Sequence, residues 1–302
     1  MGGGKTLHLW YSRPMTSVGI LYITATPIGN LADISGRLTE TLASVDLIAA
    51  EDTRHTRKLL SHLGLSKPLV SCHEHNEARI AQMLITRLLG GESVALVTDA
   101  GTPAISDPGA IVVSEAVKAG IRVSPIPGPS SLICALSVSG FSLDHGFIFE
   151  GFLPHKPAAR EKRWIDLRNE PRVIVLLEST HRINRLISEM SRFIPSRSVV
   201  IGRELTKLHE TIVRGTPEHL SESISRTGTK GEFTVVIDML HRVRDDHATA
   251  PEPDHNVVLR RLAKGDSVRT IAAELSESTG MPQRLIYRKI LEIKNNNSNA
   301  DT

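Results

Sequence analysis

From Gly19 onward the chain alternates short apolar runs with longer stretches whose apolar residues recur three and four apart. Residues 20–24 (Ile-Leu-Tyr-Ile-Thr) predict a buried strand, and 47–50, 69–71, 94–97 and 121–123 predict four more. Helical spacing covers 35–45, 54–63 and 76–89, with Gly64 and Pro68 stopping the second helix and Gly90-Gly91 the third. Strands alternating with helices predict a mostly parallel α/β sheet. Pro125, Pro127 and Pro129 then end regular structure, which sets a boundary between an N-terminal α/β domain, 18–126, and a C-terminal α/β domain, 127–240. Strands at 147–149, 173–177, 199–201 and 233–240 and a helix at 182–192 repeat the alternation, although the two halves are too dissimilar to be called a repeat.

A polar linker, 241–254, carries Pro251 and Pro253. Beyond it, Val258, Leu259 and Leu262 mark one helix. Val268, Ile271, Ala272 and Leu275 mark a second, behind Ser267 as its cap. Leu285, Ile286, Ile290 and Ile293 mark a third. This 255–294 module has the size of a helix-turn-helix unit. Residues 295–302 read as a frayed tail and 1–17 as a disordered extension, with Met15 an alternative start.

With 302 residues, 40% hydrophobic and 23% charged, the chain can build a core, and wholesale disorder is excluded. The net charge of +3 is compatible with an RNA partner without requiring one. Aromatic residues are 4%, which argues against binding single strands mainly by base stacking. Two cysteines, Cys72 and Cys134, fit a reducing cytoplasm, and no apolar run approaches the roughly 20 residues of a membrane span. Gly4-Lys5-Thr6 has neither the strand nor the earlier glycine of a phosphate loop. The amino-terminal match to a myristoylation pattern is loose, and no secretory signal is recognisable.

Candidate chemistry sits at predicted strand ends. The first strand runs into Thr26-Pro27-Ile28-Gly29-Asn30, a tight turn where an open α/β sheet binds ligands. A plain structural turn reads equally well there. The fourth runs into Thr98-Asp99-Ala100-Gly101 and on to Asp107-Pro108-Gly109. Its glycines permit close backbone approach to a ligand, to which Asp99 and Gly101 are assigned. Asp107 is assigned to capping a helix that starts near Pro108. His73 and His75 would need a third metal ligand, so a loop capped by Asn76 is preferred and no metal is expected. Polar clusters also end strands in the second half: Glu178 to Arg182, Gly202 to Lys207 with His209 and Glu210, and Lys230 to Glu232. A basic stretch, 154–164, reads either as an RNA-backbone contact or as a solvated helix face.

Seven motifs occur in one order: LYITATPIGNL (21–31), AAEDTRHT (49–56), VTDAGTPAISDPG (97–109), PGPS (127–130), EGFLP (150–154), ESTHR (178–182) and RELTK (203–207). Together the set resembles the ribosomal RNA 2′-O-ribose methyltransferases of the tetrapyrrole (corrin/porphyrin) methylase superfamily, over about 20–240. The C-terminal module fits as well, and Ala25 and Ile105 are mild departures. The resemblance implies two α/β domains with S-adenosylmethionine in the cleft between them, and a homodimer. The substrate it implies is a decoding-region cytidine of 16S ribosomal RNA, within the 30S subunit. It places Pro27 and Gly29 at the cofactor end of the first strand, Asp99, Ala100 and Gly101 in the cofactor loop, and Ser130 and Ser131 beside the cofactor.

The resemblance does not fix the general base. Lys207, Glu210, Glu178 and His181 are the candidates, with Lys207 and Glu210 expected to act together as a cation beside a carboxylate. Two alternatives stand beside this reading: methylation of a small molecule such as a tetrapyrrole, and a non-catalytic RNA-binding factor. In the third C-terminal helix, Arg284, Arg288 and Lys289 oppose an apolar stripe, which puts RNA contact slightly ahead of dimer support.

Overall fold

Every residue of Leu47–Ala50 and of Val94–Val97 is buried, as parallel strands covered by helices on both faces must be. The structure is a computed structural model that describes residues 18–239, 254–279 and 283–298. The extension expected at 1–17 and the linker residues 241–253 lie outside these. The first sheet contains β1 (Ile20–Thr24), β2 (Leu47–Ala50), β3 (Leu69–Ser71), β4 (Val94–Val97) and β5 (Arg122–Ile126), in the order β3-β2-β4-β1-β5. All its pairings are parallel, with Ile23 beside Leu96 on one side and Pro125 on the other. Pro125 was expected to end regular structure. Instead it lies inside β5, an edge strand, where a missing N–H breaks no ladder.

Helices α1 (Gly36–Ser44) and α2 (Thr53–His62) cover one face, packing Leu38, Leu42, Leu59 and Leu60 against Ile48 and Ala95. The other face is covered by α3 (Glu77–Leu89) and α4 (Ala110–Lys118), whose Ile80, Leu84 and Val112 meet Leu21, Ala49 and Leu96.

From β5 the chain enters α5 (Ser131–Ser139), which packs on a second sheet. That sheet holds β6 (Phe147–Phe152), β7 (Val173–Ser179), β8 (Val199–Arg203), β9 (Thr211–Gly215) and β10 (Glu232–Ile237), ordered β6-β7-β10-β8-β9. Only β6 and β7 run parallel; the other three pairings are antiparallel. The second half therefore does not copy the first. Strand β9, absent from the sequence reading, pairs as a hairpin with β8 and turns the polar 204–210 cluster into its loop. Ala135, Leu136 and Ile28 cover one face of this sheet. Trp164, Leu186, Met190 and Leu220, from α6 (Pro157–Leu167), α7 (Ile183–Phe193) and α8 (Pro217–Thr227), cover the other.

Residues beyond the linker form a separate compact unit of α9 (His255–Ala263), α10 (Val268–Thr279) and α11 (Gln283–Ser298). Val258, Ile271, Ala272, Ile286 and Ile290 make its core, and the Ser267 hydroxyl accepts the Thr270 amide at 3.0 Å as a capping serine does. Helix α11 continues to Ser298, into the stretch predicted to fray. No described helix is long and apolar enough to cross a membrane.

Candidate active site between the two sheets

Parallel strands end on one edge of a sheet, so the loops after β1, β2 and β4 gather there. Backbone bonds join two of them: the Thr26 amide donates to Gly101 O at 2.8 Å, and the Gly101 amide to Thr26 O at 3.1 Å. Gly101 has φ +78°, the left-handed region that glycine adopts without a steric penalty. The loops after β2 and β4 are cross-tied as well. The Asp99 amide donates to the Glu51 carboxylate at 3.2 Å, and the Asp52 amide donates to Asp99 Oδ1 at 3.1 Å. Burial pushes the Glu51 carboxyl above its ordinary pKa, against the hydrogen bond from the Asp99 amide.

Two adjoining pockets open here, and they differ in charge. The outer one, about 460 Å³, includes Pro27, Gly29, His55, Lys58, Asp99, Ala100, Lys207 and Glu232 in its wall. The inner one, about 250 Å³, is lined by Gly101, Asp107, Ser130, Ser131 and Glu178 among apolar groups that include Leu132, Phe149 and Leu205. No lysine, arginine or histidine lines the inner pocket, whereas three basic residues line the outer one. Ile28, Ala100 and Glu232 belong to both and mark their junction. The expected cofactor residues are thus brought to one cleft but divided, with Pro27, Gly29 and Asp99 outside, Gly101, Ser130 and Ser131 inside, and Ala100 shared.

The four candidate catalytic residues separate. Lys207 reaches the cleft, but its partners are Glu204 at 3.0 Å and Glu232 at 3.1 Å, not Glu210 as expected. Burial lowers its pKa, but the hydrogen bonds to the two carboxylates outweigh this and hold it above the ordinary value. It is therefore a fixed ammonium at neutral pH, not a base. Its stem crosses Gly29: a Cβ there would lie 2.3 Å from Lys207 Cγ. Exposed Glu210 closes its own loop by accepting the Thr206 amide at 2.7 Å. Glu178 is 2% exposed and ion-paired to Arg182 at 2.8 Å and Arg160 at 3.1 Å, and it accepts the Ser179 amide at 2.9 Å. A carboxylate so engaged anchors the end of β7, with both of its oxygens taken by partners within the fold. His181 is exposed in the turn before α7 and lines neither pocket.

Asp107 does not cap α4. The cap of α4 is Glu77, 6% exposed, whose Oε1 accepts the amides of Gly109 at 3.0 Å, Ile111 at 2.8 Å and Val112 at 3.2 Å. Asp107 instead faces the inner pocket, where burial, reinforced by the charges of Glu51, Asp99 and Glu232, pushes its carboxyl from 3.8 up to about 7. Asn76 precedes α3 at the N-cap position, but its side chain makes no capping bond: it accepts the His73 amide at 2.9 Å and donates to Ser71 O at 3.1 Å. Among the described residues no group of three or more His, Cys, Asp and Glu could hold a metal ion.

The basic stretch 154–164 is largely consumed within the fold. Arg160 (1% exposed) pairs with Glu178 and Glu189, Arg163 pairs with Glu150, and Trp164 is buried. Lys156 and Lys162 remain exposed.

Residues 21–221 match the family model of the tetrapyrrole (corrin/porphyrin) methylases. A Xylella fastidiosa protein named ribosomal RNA small subunit methyltransferase I is 45% identical over 278 residues, covering 90% of this chain and 99% of the relative. Proteins of the same name from Synechocystis and Haemophilus influenzae are 43% and 42% identical, covering 92% and 89% of this chain and 99% and 95% of their own lengths. The chain belongs to the small-subunit ribosomal RNA methyltransferase I family of tetrapyrrole methylases.

Membership makes it a methyltransferase. Solved structures share the fold at lower identity. Cobalt precorrin-4 methyltransferase aligns at TM-score 0.56 and 20% identity, over 74% of this chain and 97% of its own. Uroporphyrin-III C-methyltransferase from Thermus thermophilus, solved with S-adenosyl homocysteine, aligns at 0.50 and 17%, over 73% and 97%.

Proposed function

We propose that this enzyme transfers the methyl group of S-adenosylmethionine to the ribose 2′-hydroxyl of a cytidine in the decoding region of small-subunit ribosomal RNA. The charge division of the cleft carries this reading. The donor is a sulfonium cation without phosphate. The inner pocket suits it, with carboxylates, no basic side chain, apolar walls, and a Ser130 hydroxyl that makes no capping bond to α5. A polyanion suits the outer pocket, where Lys207, Lys58 and His55 stand.

When bound, the donor supplies an electrophilic methyl group. Gly101, Ser130 and Ser131 would hold it on the inner side, and Ile28, Ala100 and Glu232 stand where the two ligands would meet. The chain's own task is to align the attacking oxygen and remove its proton. Lys207, fixed by Glu204 and Glu232, lowers the cost of developing negative charge on that oxygen. Asp107, which lines the inner pocket and whose carboxyl burial pushes up to about 7, is the group assigned to accept the proton. Glu178 anchors the end of β7 and Glu210 closes the loop that carries Lys207.

The 30S subunit as the substrate form, a homodimeric assembly and a cytoplasmic location belong to the same reading and rest on the ordered motif set. The deciding experiment supplies labelled S-adenosylmethionine with naked ribosomal RNA, 30S subunits or a tetrapyrrole. Label in RNA that survives alkaline hydrolysis as an uncleaved dinucleotide supports the 2′-O assignment. Label in the tetrapyrrole alone would replace it with small-molecule methylation.

A further inference from the structure

Helix α2 is amphipathic in an uncommon way. Thr56, Leu59 and Leu60 face the sheet, while Arg54, Arg57, Lys58 and Ser61 recur at three- and four-residue steps on the exposed face. Arg54 is folded back onto Asp52 at 2.6 Å. Arg57 and Lys58 have no ion-pair partner among the described residues. They share this with exposed Lys156 and Lys162, whereas Arg160, Arg163 and Arg182 are paired around β7 and Arg261 is paired to Asp266 and Glu274.

Within α2, Arg57 and Lys58 face different hollows. Lys58, with His55, lines the outer pocket that holds Lys207. Arg57 lines a depression of about 380 Å³ on another side of α2, together with Ser61, Ser66 and Lys67. The Lys67 ammonium spends one hydrogen bond on Val45 O at 2.9 Å and keeps further donors. No acidic side chain lines that depression. It combines a guanidinium, an ammonium and two hydroxyls, the donor set that phosphate oxygens take.

We infer that α2 is the rail on which the RNA backbone lies, with one phosphate in the Arg57–Lys67 depression and a neighbouring one at Lys58, so that the strand is led past α2 to Lys207. The inference rests on the RNA reading above and adds the surface that holds the substrate. It also accounts for basic side chains that line the outer side of the cleft and are absent from the lining of the inner side.

The test is the double substitution Arg57→Gln, Lys58→Gln in the full chain, both at exposed helical positions where glutamine is a good helix former. A control, Arg192→Gln with Arg226→Gln, removes the same charge from exposed sites elsewhere (69% and 81% exposed side chains). Binding of 30S subunits is measured over a salt series, and donor affinity by calorimetry. Losing two phosphate contacts lowers the log–log salt slope by about 1.4, which corresponds to about 25-fold weaker binding at 0.1 M salt relative to 1 M. Donor affinity stays as in the wild type, and the control binds 30S subunits as the wild type does. Wild-type affinity and slope in the α2 variant, or an equal loss in the control, would overturn the inference while leaving RNA methylation standing. A wild-type protein that neither binds nor labels RNA would instead overturn the reading on which it rests.

Discussion

Replacing Asp107 by asparagine separates what the side chain does for the reaction from what it costs the fold. Below about pH 3 the carboxyl is protonated in both folded and unfolded chains and carries no penalty. As pH rises, the unfolded chain releases its proton near 3.8, while the folded chain holds it to about 7. Native protein therefore binds more protons across that window, stability falls through it, and above about 7 the loss is constant. A shift of this size corresponds to at most about 4 kcal/mol, and screening by solvent in an open cleft reduces the expected value to about 2 kcal/mol. Asparagine has no proton to lose. Asp107→Asn is thus expected to match the wild type at about pH 3 and to exceed its stability by about 2 kcal/mol at pH 8. Urea unfolding at a series of pH values measures the difference. In methyl transfer the wild-type rate should rise as pH passes about 7, where the carboxylate forms. The variant should lose that rise and about 10²–10⁴-fold in rate. A variant with the wild-type pH profile would remove Asp107 as the base. A stability difference independent of pH would refute the burial argument itself.

Lys207→Met should slow single-turnover methylation far more than it weakens donor binding, and a near-normal rate would exclude Lys207 from the reaction. In Gly101→Val a Cβ meets Ile28 only at 3.6 Å, so the protein should fold, at about 1–3 kcal/mol of backbone strain, with its new methyls in the cleft. Calorimetry should then find donor binding lost; unchanged affinity would move the donor elsewhere. Glu77→Ala leaves the amides of Gly109, Ile111 and Val112 without their acceptor and should cost about 3 kcal/mol by urea midpoint. Ending the chain after Leu240 should leave donor affinity intact and lower the salt slope of 30S binding. An unchanged slope with a shift from dimer to monomer in light scattering would make the C-terminal helices an assembly element.

The elements that the sequence makes legible are those whose pattern is local. Fully apolar runs such as 94–97, and helices with a three-four stripe, lie where their spacing places them. What escapes is set by distant partners. An Asp-Pro-Gly ahead of a helical stretch looks like a cap, and nothing nearby reveals that Glu77, from another helix, occupies those amides first. Lys207 pairs with Glu232 across the β8–β10 edge, so choosing Glu210 by proximity in sequence picks the wrong carboxylate. Strand β9 is hidden because Thr211 and Arg214 dilute its alternation, and it is held by β8 rather than by its own hydrophobicity. The basic stretch 154–164 misleads in the opposite sense, since its cations look exposed until Glu150, Glu178 and Glu189 arrive from other elements.

Ala104, Ser106, Glu204 and Thr206 adopt left-handed backbone angles, with φ between 51° and 67°, a region that side chains other than glycine enter at about 1 kcal/mol each. The first pair lies just before Asp107 and the second just before Lys207. Glycine would occupy these positions with less strain, yet it would also let each loop wander among conformers that a Cβ forbids. Both side chains proposed to react are therefore carried by turns that a designer seeking heat resistance would be inclined to relax. On the proposed mechanism, such relaxed loops would trade a higher melting temperature for slower turnover, because the stiffness that makes these turns expensive also holds the Asp107 carboxyl and the Lys207 ammonium in place.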